Sequence, residues 1–172
     1  MQLYEPYLTE RLLLVPTTKD DAAFILKLLN QPKWIKNIGD RNVHTLEQAE
    51  RYIETKMLSQ YYELGYGNYT IRLKENGTKV GICGLYNRAE LAGIDLGYAL
   101  LEEFEGKGYA TEASKLVLDL AKNKFKINEL NAITLSENIP SCNLLEKLGF
   151  ENQGSLNLKG DDENLILYRR IL

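Results

Sequence analysis

Soft metal ligands are nearly absent from this chain: two cysteines and one histidine in 172 residues. Cys83 and Cys142 can frame neither a disulfide scaffold nor a four-ligand zinc site. His44 would need carboxylates at almost every other ligand position, so no metal is expected. A long apolar run is also missing. The opening MQLYEPYLTERLLLVP has no basic n-region and only a very short hydrophobic stretch, which makes it neither a signal peptide nor a membrane span. The expectation is a cytoplasmic protein with no membrane partner and both thiols reduced. Positive charge is not in excess either. The net charge is −3 and the isoelectric point about 5.4, which argues against a nucleic-acid partner. A mildly acidic surface suits a cationic small molecule or a basic peptide.

What is present is an ordinary globular composition, 44% hydrophobic and 26% charged. The length fits a single domain spanning residues 1–172, large enough to hold a hydrophobic core without staples. No internal repeat, linker or low-complexity tract breaks the chain. Arg11 to Val15 reads as a strand stopped by Pro16. Thr18 with Asp21 resembles a helix start, followed by the stripe Ala22, Ile25, Leu26 and Leu29, which Pro32 ends. Thr45 with Gln48 is a second capping box. Its helix runs to about Tyr62 and buries Leu46, Ala49, Ile53 and Met57. Tyr69, Ile71 and Leu73 alternate as a strand, Asn76-Gly77 makes a hairpin turn, and Lys79 to Leu85 returns. Ile94 to Leu100 is a further strand. A long amphipathic helix carries Ala113, Leu116, Val117, Leu120 and Ala121. Ala132 to Leu135 is a strand, a helix begins near Pro140 and stops at Gly149, and strands follow around Gly154 to Leu158 and from Leu165 to Ile171. This order predicts an α+β (mixed α/β) protein with helices packed on a mixed sheet.

Between strand and long helix lies Glu105-Gly106-Lys107-Gly108-Tyr109-Ala110. The first amides of a helix have no internal partners and carry the positive end of its dipole. Glycines at such a turn let a phosphate approach them, and Lys107 adds a positive charge. The spacing is neither a Walker loop nor a dinucleotide fingerprint. On its own it is also compatible with a plain tight turn.

Several segments together resemble the GNAT N-acetyltransferases. Gly97-Tyr98-Ala99-Leu100, followed by Gly106-Lys107-Gly108-Tyr109-Ala110-Thr111-Glu112-Ala113, resembles motif A of that family. Asn138-x-x-Ser141, with Glu146-Lys147-Leu148-Gly149-Phe150, resembles motif B. Thr9-Glu10-Arg11-Leu12-Leu13-Leu14 is similar to the start of its ribosomal-protein N-acetyltransferase (RimJ/RimL-type) branch. The resemblance implies a mostly antiparallel twisted sheet of about six to seven strands, helices on both faces and a splayed central parallel pair. It implies acetyl-CoA as donor and a primary amine as acceptor, either a small molecule or a protein N-terminus. It further implies that the pantetheine arm lies along Tyr98, Ala99 and Leu100 through main chain. The pyrophosphate would rest on Gly106, Lys107, Gly108, Tyr109 and Ala110, with Thr111 at the helix start. Asn138 would bond the pantetheine amides and Asn143 would line the same cleft. The family often has Gln or Arg where Glu105 stands, so this carboxylate is expected to point to solvent.

The chemistry asks for three groups. The ammonium proton of the acceptor must leave, and Asp95, on the strand feeding the cleft, is a candidate base and acceptor contact. Otherwise it is a solvent-facing carboxylate that attracts cations. The developing oxyanion needs a donor, by resemblance a main-chain amide of the Leu96 to Ala99 strand. The departing thiolate needs an acid. Leu145 stands where the family commonly has a tyrosine, and Ser141 is the nearest substitute; its alternative role is a helix cap. Trp34, in the loop between the first two helices, is a candidate acceptor-pocket wall. His44 reads as a loop residue, Cys83 and Cys142 as packing residues, and Tyr61, Tyr62, Tyr66 and Tyr69 as core and interface packing. The competing function is a catalytically silent CoA or acetyl-CoA sensor. The protein is expected to be a monomer or homodimer.

Overall fold

The structure, a computed structural model, describes residues 6–158 and 164–172; the first five residues of the opening stretch lie outside it. Eight strands form one sheet in the order β1-β2-β3-β4-β5-β6-β8-β7. They are β1 Tyr7–Leu8, β2 Leu12–Pro16, β3 Asn68–Leu73, β4 Lys79–Asn87, β5 Ile94–Leu100, β6 Glu129–Leu135, β7 Glu151–Leu156 and β8 Leu165–Ile171. Every neighbouring pair is antiparallel except β5 and β6. The α+β fold expected from the sequence is therefore present, with an added two-residue strand, β1, at one edge.

The helices divide between the two faces. On one side α1 (Ala22–Leu29), α2 (Pro32–Ile38) and α3 (Leu46–Tyr52) bury Ile25, Leu28, Trp34 and Ala49, with Ile53 just after α3, against Ile82 of β4. On the other, α5 (Tyr109–Asn123) and α6 (Ile139–Lys147) pack Val117, Ala121, Cys142 and Leu145 over Leu12, Ile71, Leu85, Leu96 and Leu130. After α3 the helix passes through a π-helical stretch, Ile53–Leu58, into α4, Ser59–Leu64. Leu46, expected inside, is half exposed because it occupies the first helical position.

Pro32 corrects the sequence reading. It does not merely end a helix; it opens α2 at the first helical position, after an extended Gln31. There its missing N–H costs nothing and its fixed φ is already helical. Asp21 is also more than a helix-start residue. Its fully buried carboxylate accepts from the Thr18 amide at 3.0 Å and Thr70 Oγ1 at 3.2 Å, and it pairs with Arg72 at 3.1 Å and Lys79 at 2.6 Å. Four partners from three segments tie the start of α1 to β3 and β4, which is how a buried charge becomes tolerable.

The strand expected around Gly154 to Leu158 differs in extent from expectation. β7 begins at Glu151, directly after the helix stop, and its exposed polar sequence gives no hydrophobic signal. The stop itself is as predicted. Gly149 has φ +81°, and Phe150 donates its amide to the Leu145 carbonyl at 3.0 Å while its ring is buried.

Candidate active site

β5 and β6 share a single ladder pair, Asp95 opposite Asn131. Beyond it the parallel strands part, while β5 stays paired with β4 along its whole length. A wedge therefore opens beside Leu96 to Leu100. Residues 95, 97 and 99 face the α1–α3 side, and 96, 98 and 100 face α5 and α6, by strand alternation. Gly97 is required where it stands: a Cβ there would meet the Tyr86 ring at 2.7 Å.

The end of β5 leads through a 3-10 turn, Glu102–Phe104, into the glycine turn. Gly106 and Gly108 have φ +72° and +81°, a region L-residues seldom adopt. The first α-helical bond of α5 runs from the Glu112 amide to the Gly108 carbonyl at 3.0 Å. The amides of Tyr109, Ala110 and Thr111 thus have no carbonyl to reach within the helix. The turn thus has the open helix start that the sequence implied, a cradle an anion could use.

Two features around it were not foreseen. Arg11 bonds the Lys107 carbonyl at 3.0 Å, pairs with Glu112 at 2.7 Å and lies 4.7 Å from the centre of the Tyr109 ring. Glu112 also accepts from Thr9 Oγ1 at 2.6 Å and the Arg11 amide at 2.8 Å. The opening Thr-Glu-Arg-Leu segment therefore braces the turn. Burial works to raise the Glu112 carboxyl, but the bonds from Thr9 and Arg11 outweigh it and hold it below the ordinary value. Glu105, as expected, turns from the cradle and makes a salt bridge with Lys33 of α2. Lys27 pairs with Glu103 at 2.8 Å, and Gln31 brackets Leu101, donating to the Leu100 carbonyl at 3.3 Å and accepting from the Glu102 amide at 2.9 Å. The Leu100 carbonyl, on the segment expected to meet the pantetheine through main chain, already has this partner.

Ser141 and Tyr98 meet across the wedge. Ser141 Oγ and the Tyr98 phenol oxygen are 2.9 Å apart. Ser141 does not act as a cap; its own amide is satisfied by Asn138 Oδ1 at 3.4 Å, the N-cap of α6. Asn138 is thus engaged locally through its carbonyl oxygen. Asn143 does not share this orientation. Two residues on from Ser141 is about 200° around the helix, and the side chain is exposed.

Asp95 departs from expectation. It is 1% exposed, and both its oxygens accept from Arg88 Nε, at 3.0 and 2.9 Å. Burial raises its carboxyl and Arg88 opposes the rise. It is not a solvent-facing carboxylate but a buried one paired with Arg88. Trp34 is likewise not in a loop. It sits on α2, 8% exposed, with its indole Nε1 unpartnered among the described residues. His44 is an exposed residue before α3 whose amide bonds Gln48 Oε1. Burial pushes the Cys83 thiol up to about 12, as befits a packing residue, and Cys142 is buried as well. Tyr61 and Tyr69 pack edge to face, while Tyr62 stays exposed.

Comparison with known proteins agrees with this geometry. Residues 11–151 match the family described as "Acetyltransferase (GNAT) domain". An uncharacterized N-acetyltransferase, p20, of Bacillus licheniformis is 29% identical over 154 residues, covering 88% of this chain and 85% of its own. An acetyltransferase from Agrobacterium tumefaciens superimposes with a TM-score of 0.83 at 24% identity, covering 100% of this chain and 99% of its own. A ribosomal L7/L12 α-N-protein acetyltransferase solved with coenzyme A gives 0.83 at 17% identity, with 98% of each chain covered. The two structural likenesses concern the fold.

Proposed function

Because the chain belongs to the GNAT acetyltransferases, we propose that it moves an acetyl group from acetyl-CoA to a primary amine, both held at the wedge between β5 and β6. The observation that carries this reading is the wedge itself, which opens at Asp95 and Asn131 and ends on a glycine turn at a helix N-terminus. The residues present suit the donor. Unpartnered amides at the start of α5 and the Lys107 charge answer a pyrophosphate, and Glu105 is drawn off by Lys33. Tyr98, Ala99 and Leu100 would flank the pantetheine arm, with Asn138 beside it.

Bound acetyl-CoA would supply a thioester carbonyl open to attack by an amine. The chain's part is to bind, orient and hydrogen-bond. Main-chain amides of Leu96 to Ala99 stand as donors for the carbonyl oxygen. Ser141 is the donor for the departing sulfur, with no tyrosine at Leu145. Asp95 acts indirectly, by holding Arg88 beside the point where β5 and β6 part. The acceptor's own proton leaves to water, so the rate should rise with pH up to the pKa of the amine, about 7.7–8.0 for a protein N-terminus and about 10.4 for lysine.

The structural likeness to an α-N-protein acetyltransferase makes a protein N-terminus the first acceptor to try. The test is release of free thiol from acetyl-CoA with free peptides, the same peptides blocked at the α-amine, and a polyamine. We expect release with free peptides and none with blocked ones. Binding of acetyl-CoA without thiol release for any amine would favour the silent sensor.

A further inference from the structure

We propose that Tyr98 is a positioning residue, whose phenol holds the Ser141 hydroxyl so that the serine proton is directed into the wedge. The inference rests on the reading above that the wedge takes acetyl-CoA, and it assigns the Tyr98 side chain a task separate from the main-chain contacts already considered.

The argument is one of proton supply. A serine hydroxyl has one proton to give and two lone pairs. Ser141 lies 2.9 Å from the Tyr98 phenol oxygen, and the same phenol is 3.4 Å from the Ser141 carbonyl. Both contacts of the phenol among the described residues can accept its proton, and the one to Ser141 Oγ is the shorter, so the phenol donates there. Ser141 Oγ then accepts, and its own proton is left for another partner. The cap of α6 is Asn138, and among the described residues the partner of the Ser141 hydroxyl is Tyr98. Position supports the same conclusion. Tyr98 lies three residues past the Asp95–Asn131 pair, where β5 has left β6, so the contact bridges the opening wedge. Leu145, one turn along α6, is fully buried and offers no hydroxyl.

The task is orientation; no proton leaves Tyr98. A hydrogen bond from Ser141 to the sulfur of CoA would favour the thiolate over the thiol. The probe is CoA itself, titrated in complex with the protein by thiolate ultraviolet absorbance. Wild type, Tyr98→Phe, Ser141→Ala and the double variant are compared, with melting temperature as the check on folding.

We expect the wild type to raise the acid constant of the bound thiol above that of free CoA. Each single variant should lower that constant at least threefold. The double variant should match Ser141→Ala, and Ser141→Thr should restore part of the effect. Turnover should follow, with KM for acetyl-CoA little changed. If Tyr98→Phe melts early, Tyr98→Met removes the same hydroxyl. The proposal is overturned if the two single effects add, or if Tyr98→Phe leaves the titration unmoved. Failure of the wild type to bind CoA would instead overturn the donor-site reading beneath it.

Discussion

Glu105 would repel a pyrophosphate if it faced the glycine turn. Its salt bridge to Lys33 turns it toward α2. Glu105→Gln should therefore leave the acetyl-CoA dissociation constant, measured by calorimetry, within a few-fold of wild type. A tenfold gain, about 1.4 kcal/mol, would mean that the charge faces the phosphates. Asp95 makes the opposite case, a residue whose place was legible and whose state was not. Its position on β5 followed from the pattern Ile94 to Leu100. Its partner Arg88 lies seven residues back, across a turn that no local signal describes. As an ion-pair anchor, Asp95→Asn should cost about 1.5–3 kcal/mol, the range for hydrogen bonds to charged groups. The expected result is a lower melting temperature with an unchanged pH profile of turnover. A loss or shift of the ascending low-pH limb in that profile would restore Asp95 as the base. Trp34 lies on α2 rather than in a loop for a related reason: Pro32 reads locally as a stop, yet proline is as much at home in the first turn of a new helix.

Elements with a strong period or a clear boundary were the legible ones. Ile94–Leu100 and Leu165–Ile171 are the strands the sequence predicts, to the residue. The capping box at Thr45 and Gln48 and the stop at Gly149 are also as predicted. β1 has two residues and so no period, and β7 is polar and exposed, so alternation said nothing of its start. The bracing of the glycine turn by the N-terminal segment was illegible because Arg11 and Glu112 are 101 residues apart. That contact carries a pH prediction. The Glu112 carboxyl is held below its ordinary value in the folded state. Its stabilising contribution is therefore complete above the unfolded value of about 4.5 and is lost as pH falls through the lower folded value. Glu112→Gln should lower the melting temperature at neutral pH and narrow the gap to wild type in acid, followed by thermal melts between pH 7 and 3. A gap independent of pH would contradict the account.

At the scale of the whole molecule, one sheet separates two hydrophobic clusters, and the wedge opens within that sheet. Helices α1 and α2 are tied to the far end of β5 and the segment after it by Gln31, Lys27 and Lys33. The N-terminal segment reaches the same region through Arg11. A ligand seated on the glycine turn would thus touch a junction of three parts of the fold, and its binding should stabilise the molecule globally. The most direct measurement is the melting temperature with and without acetyl-CoA, with ATP as control. At about 100 times its dissociation constant a ligand stabilises by roughly 2.7 kcal/mol. For a chain of this length that is a rise of roughly 5–10 °C. The account predicts that rise with acetyl-CoA and none with ATP. No rise with acetyl-CoA, or an equal one with ATP, would contradict the assignment of the wedge as an acetyl-CoA site.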